Sequence, residues 1–157
     1  MRIERILVAT DFSENAQVAF ENAYEMAGQL GAELHVLHVQ DESNLRTAVK
    51  EGLVSPESTD EEIQAQVEQL TEMRFSNMLA GHSVSEFADK HLSRRGDPSK
   101  TIVEYASEIG ADIVVVGMRG ITARSAIVSA VLGSVAEYVM RKSPCPTLIV
   151  RLEHKSR

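Results

Sequence analysis

Two small residues and a carboxylate carry the chemistry this sequence could do. Gly133-Ser134 stands just ahead of the helical-looking segment Val135–Lys142, and Gly117-x-x-Gly120 closes the apolar run Ile113–Val116. Glycine lets an anion approach the backbone closely. A helix start adds unpaired N–H groups and a partial positive charge. The stretch GMRGITARSAIVSAVLGS could therefore cradle a phosphate. Asp11 follows the apolar run Ile6–Ala9, where a carboxylate suits a ribose hydroxyl or a metal ion. Arg119 and Arg124 fall inside the glycine loop, where guanidinium groups could pair with phosphate.

Each of these residues also has a plainer reading. Ser134 could be an N-cap with Glu137 completing the box. Asp11 could cap a helix beside Ser13. Ile127, Val128, Val131, Leu132, Val135, Tyr138 and Val139 keep a helical period. One continuous helix would hold Gly133 in its middle at a cost of only about 1 kcal/mol and would leave no free N–H groups. Phosphate loop, simple cap and continuous helix all remain open at this level. His35 and His38 lie three apart on a strand, so they face opposite ways and cannot share a metal; packing is their expected role. His82, His91 and His154 are scattered. Cys145, between Pro144 and Pro146, reads as a small buried residue, because no base partner can be argued for it. The methionines read as core filler.

These residues need elements to position them. Ile6–Ala9 is a short apolar run that suits a strand covered on both faces. Ser13 then opens a helix that stops at Gly31, and Leu34–Val39 is a second strand. After a long polar connection over 40–58, Thr59-x-x-Glu62 is a capping box for a helix reaching about Leu79. A weak strand follows near Ala88–Arg94, and Asp97-Pro98 starts a helix that ends at Gly110. Ile113–Val116 is the fourth strand, Val135–Lys142 the last helix and Thr147–Leu152 the last strand. Strict β-α alternation predicts an α/β fold: a five-stranded parallel, doubly wound sheet with helices on both faces, as one domain over 1–157. Ligands of such sheets bind beyond the strands' carboxyl ends where the winding reverses. With the first and fourth strands adjacent, that cleft is bordered by Thr10-Asp11 and by Gly117 onward.

Bulk composition excludes several classes. With 16 Lys+Arg against 23 Asp+Glu, the formal charge is −7, which argues against nonspecific binding to nucleic acid or anionic membranes. One cysteine allows no intrachain disulfide. No apolar run approaches the roughly 20 residues of a membrane span, and MRIERILVATDFSE lacks the pattern of a signal peptide. The expected setting is cytoplasmic. Strand one runs into ATDFSE, without G-x-G-x-x-G, and there is no G-x-x-x-x-G-K-[ST]; a dinucleotide fold and a P-loop NTPase are both disfavoured.

The chain resembles the universal stress protein family over nearly its whole length. ILVATDFSE, LHVQDE, GDPSKTIVEYASEIGADIVVVG and LGSVAEYVMRKSPCPTLIV carry the resemblance. It implies a five-stranded α/β domain, cytoplasmic, stress-induced and usually homodimeric; that no nucleic acid or membrane is a partner is expected from the charge and hydropathy above. One branch of that family binds ATP, and its pattern is G-x-x-G, nine residues, then G-S or G-T. Carried over, the resemblance implies Gly117, Gly120, Gly133 and Ser134 at the phosphates of ATP, with or without Mg. It implies Asp11 near the ribose, the Val39 backbone at the adenine, Ala9 as a small wall residue, and Val116 and Val135 flanking the glycines. Here twelve residues, not nine, separate Gly120 from Gly133. The expected function is an ATP-binding regulatory module; the alternative is a non-ATP member acting through dimerisation and protein partners. An ATP pyrophosphatase-like enzyme is disfavoured, because strand one lacks a following S-G-G-x-D-S loop. No general base for an attacking water is evident, so any hydrolysis is expected to be very slow.

Overall fold

The structure, a computed structural model, describes residues 2–41, 50–52, 55, 57–83, 90–119 and 132–152. Its elements are β1 (Arg5–Thr10), α1 (Glu14–Leu30), β2 (Glu33–Gln40), α2 (Asp60–Leu79), β3 (Lys90–Arg95), α3 (Pro98–Ile109), β4 (Ile113–Gly117), α4 (Ser134–Lys142) and β5 (Thr147–Val150). All five strands are parallel, in the order β3-β2-β1-β4-β5. The expected fold class stands, and the expected strands differ from these only at their ends.

β1 is central because its sequence is apolar on both faces. Ile6, Leu7 and Val8 are fully buried. Ile6 and Val8 join Ala19, Phe20, Ala23 and Ala27 of α1 and Phe75 and Met78 of α2 on one face. Leu7 turns to the other face, against Ile102 and Ala106 of α3 and Val139 of α4. Each such aliphatic contributes roughly 1.5–3 kcal/mol when removed from water. Val8 pairs with Val36 on one side and Val115 on the other, so the continuous apolar runs meet in register.

Short-range signals set the helix starts. Ser13 Oγ accepts from the Ala16 N–H at 3.3 Å, and Asp97 Oδ1 accepts from the Lys100 N–H at 2.9 Å. Thr59 and Glu62 form the reciprocal box. α1 stops at Gly31, whose φ of 64° suits a residue without Cβ. At the far end of the sheet from these helix starts, the Asp112 carboxylate accepts the Glu4 and Arg5 N–H groups at 2.7 and 2.9 Å. Those two bonds hold its pKa below the ordinary aspartate value.

Two sequence readings need correction at α4. Gly133, not Ser134, is the N-cap, and it supplies no side-chain bond; Ser134 is already helical. Glu137 therefore completes no box and instead pairs with Arg141 one turn on, at 2.9 Å. The continuous helix also fails. Gly133 has φ −66° and ψ 150°, which is extended backbone, and its N–H bonds back to the Met118 carbonyl at 2.9 Å. Gly120 and Arg124, with the rest of 120–131, lie outside the described residues.

Candidate functional site

The carboxyl ends of β1, β2 and β4 open onto a cleft of about 380 Å³. That falls within the range of small-molecule sites. Three helices, α1, α3 and α4, begin at its rim. Two of these starts are closed by their own side chains, Ser13 and Asp97. The third, α4, begins at a glycine without a side-chain cap. The Glu137 N–H makes the first intrahelical bond, to the Gly133 carbonyl at 2.9 Å. The N–H groups of Ser134, Val135 and Ala136 precede it and have no intrahelical acceptor. All three residues line the cleft. Of the stretch the sequence offered as a phosphate cradle, the described part at Gly133–Ala136 is a helix start without a side-chain cap.

Eight of the nine expected site residues line this one cleft: Ala9, Asp11, Val39, Val116, Gly117, Gly133, Ser134 and Val135. Gly120, the ninth, is outside the described residues. Arg119 borders the cleft as well. Asp11 Oδ1 accepts the Ser13 N–H at 3.0 Å, so the carboxylate shapes the β1–α1 turn while facing the cleft. The cap reading of Asp11 needs correction: Ser13 is the N-cap of α1, and Asp11 only braces the turn ahead of it.

Gly117 is a glycine for a reason the sequence does not reveal. A Cβ there would lie 3.0 Å from the Asn15 backbone carbon and Cβ. α1 therefore starts directly against the end of β4, and a side chain at 117 would push that helix away. Asp41 and Asp97 also line the cleft and were not singled out as site residues. The sequence marks Asp97 only as a helix cap. Asp41 could have been found from its position, one residue past β2, because ligand contacts gather just beyond strand ends.

His35 and His38 do face opposite ways. His35 lies near the Tyr105 hydroxyl of α3, at 3.4 Å. His38 packs beside Phe12 and Phe75, with its Nδ1 2.9 Å from the Thr10 carbonyl. A carbonyl only accepts, so Nδ1 carries the proton. Burial lowers the His38 pKa below its ordinary value, outweighing the bond to Thr10. Stability from the neutral ring is therefore complete above the unfolded value of about 6.5 and is lost as pH falls through the folded pKa. His38→Asn keeps a donor but does not titrate. By urea unfolding, the wild type's advantage over this variant is expected to shrink between pH 7.5 and pH 5; a constant or growing gap would contradict a neutral His38. Cys145 is half-buried at the entry to β5, with Sγ 3.6 Å from Ser143 Oγ, and burial raises its pKa.

Among the described residues, no group of three or more His, Cys, Asp or Glu could hold a metal ion. Nor is any described helix long and apolar enough to cross a membrane.

A five-stranded parallel α/β sheet with its cleft at the strand ends and an open helix start within it defines the class. The chain belongs to the universal stress protein family, whose model matches residues 2–151. It is 33% identical to universal stress protein YxiE of Bacillus subtilis over 148 residues, covering 94% of this chain and 98% of the relative. The solved structure of MJ0577, a universal stress protein of Methanocaldococcus jannaschii, superposes with a TM-score of 0.78 at 27% identity, covering 99% of this chain and all of that one. More distant structures share the fold alone. They include a universal stress protein with cAMP, at 22% identity and TM-score 0.57, covering 96% of this chain and 98% of that one. They also include one from Archaeoglobus fulgidus with dAMP, at 22% and 0.59, covering 96% and 99%. A third, from Arabidopsis thaliana with AMP, has 18% and 0.59, covering 98% and 94%.

Proposed function

We propose that the cleft binds an adenine nucleotide, ATP in particular, and that the protein is a nucleotide-responsive regulatory module of the stress response. The observation that carries this reading is the start of α4, which has no side-chain cap and whose first residues, Ser134–Ala136, line a cleft that also holds Asp11 and Val39. The phosphates would sit against Ser134–Ala136, with Gly133 allowing close approach and Arg119 nearby. Asp11 would take the ribose, the Val39 backbone would meet the base, and Ala9, Val116 and Val135 would form the walls. Relatives that hold cAMP, dAMP or AMP on the same fold support an adenine ligand. The longer glycine spacing is a small obstacle: extending a flexible loop from nine to twelve residues costs about 0.3 kcal/mol.

Calorimetry with Mg-ATP, metal-free ATP and AMP tests the reading and shows whether Mg belongs to it. Binding tighter than millimolar, about −4 kcal/mol, is expected. Ser134→Ala should weaken ATP by about 10- to 150-fold, the loss of one hydrogen bond to a charged group. No binding at millimolar nucleotide would favour the second reading, action through protein partners alone, for which the twelve-residue spacing speaks. Hydrolysis, if any, should run far below the median enzyme rate of about 10 per second.

The same proposal includes a cytoplasmic homodimer paired through β5. This strand is at the sheet edge. The carbonyls of Pro146, just ahead of it, and of its own Val150 accept from Val114 and Met118 on the β4 side, so Ile149, out of that phase, turns its backbone N–H to the open edge. Light scattering at concentrations on the order of tens of micromolar should give a dimer, and Ile149→Pro should weaken it. A monomeric wild type would refute the pairing.

A further inference from the structure

The cleft and α2 lie on opposite faces of the sheet, yet chain neighbours join them at two strand ends. Asp11 lines the cleft; Phe12, the next residue, turns to the other face and meets Phe75 of α2 edge-on, with centroids 5.0 Å apart. Asp41 lines the cleft; Gln40, the residue before it, is buried and donates from Nε2 to Thr71 Oγ1 of α2 at 3.1 Å. α2 is held by a narrow stripe of four buried side chains, Val67, Thr71, Phe75 and Met78. Two of these four touch neighbours of cleft carboxylates.

The turn between Asp11 and α1 is also strained. Phe12 has φ 62°, the one positive φ at a non-glycine among the described residues, and bulky L-residues are disfavoured there. Two local bonds hold it. The Phe12 N–H donates to Thr10 Oγ1 and the Ser13 N–H to Asp11 Oδ1, both at 3.0 Å. The carboxylate that faces a ligand is thus the one that fixes the strained turn. A ligand hydroxyl that donates to Asp11 fixes the carboxylate and reinforces that hold. Phe12 carries the change to Phe75.

We propose that α2 reports the state of the cleft, its seating altered through Phe12–Phe75 and Gln40–Thr71 when a ligand engages Asp11 and Asp41. This concerns regulation of the same site and rests on the adenine-nucleotide reading. A change in seating would alter the outer face of α2, where Glu68, Glu72 and Met73 are exposed.

Hydrogen–deuterium exchange on the full chain tests it in two arms. In the first, Mg-ATP or AMP is added to saturation as judged by calorimetry. Amides of Val67–Met78 should then exchange on the order of threefold more slowly, as expected for altered local opening. Protection confined to the cleft segments under saturation overturns the proposal. The second arm needs no ligand. Asp11→Ala should speed exchange in α2. Asp97→Ala removes another cleft-lining cap carboxylate, on α3, and should leave α2 unchanged. Equal effects of the two, or no effect of either, overturn the coupling. Failure to bind nucleotide would defeat the adenine reading alone, because the contrast between Asp11 and Asp97 would still decide the coupling.

Discussion

Gly133→Val is expected to remove nucleotide binding while the chain stays folded. The backbone at 133 is extended, with φ −66° and ψ 150°, a conformation that valine adopts readily. The residue's N–H bond to Met118 and the Glu137 bond to its carbonyl use main-chain atoms only, so both survive. The folding cost is that of a poorer N-cap, on the order of 1 kcal/mol. The branched side chain, however, would stand directly ahead of the first turn of α4, between a phosphate and the N–H groups of Ser134–Ala136. Affinity should fall by about 100-fold or more, the loss of at least one charge-assisted bond with its close approach. Calorimetry beside a urea melt separates the two effects. Unchanged affinity in a folded variant would show that no phosphate sits at α4.

Phe75→Ala should destabilise the protein by about 3–5 kcal/mol, as expected for a large aromatic removed from a packed core. Phe75 is only 1% exposed. Its ring lies 5.0 Å from Phe12, 5.0 Å from His91 and 6.3 Å from His38, so it joins the β1–α1 turn, β3 and β2 to α2. Against a typical total stability of about 5–15 kcal/mol, the loss is a large share. Denaturant unfolding measures it. A loss below about 1 kcal/mol, well under that range, would mean that α2 is not docked through this ring.

The parts of the fold that depend on neighbours in sequence were legible. Ser13, Thr59 and Asp97 start their helices because a cap acts within three residues, and the apolar run Ile6–Val8 announces a strand buried on both faces. α4 misled because Gly133 and Ser134 are both acceptable caps, and the choice between them turned on a bond to Met118, far away in sequence. β3, KHLSRR, gave a weak signal because it is a polar edge strand. In the site, the glycines and Asp11 stood out by type and position. What did not stand out were reasons that need three dimensions: the contact of Gly117 with Asn15, and the Phe12–Phe75 contact across 63 positions. The hydrophobic pattern names which residues are buried but not which ones meet.

The strand order has a consequence for synthesis. β1 is the central strand, and its two neighbours are made at very different times. β2 follows directly, whereas β4 is completed about 75 residues after it. At roughly 5–20 residues per second, the nascent chain spends about 4–15 s with one edge of Arg5–Thr10 unpaired. That edge belongs to a segment whose Ile6, Leu7 and Val8 are fully buried in the finished fold, and an open apolar edge is the kind of surface on which strands from other chains add. Demand for chaperone protection should therefore peak while residues 41–112 emerge. It should fall sharply once Ile113–Gly117 is free to close the ladder on β1.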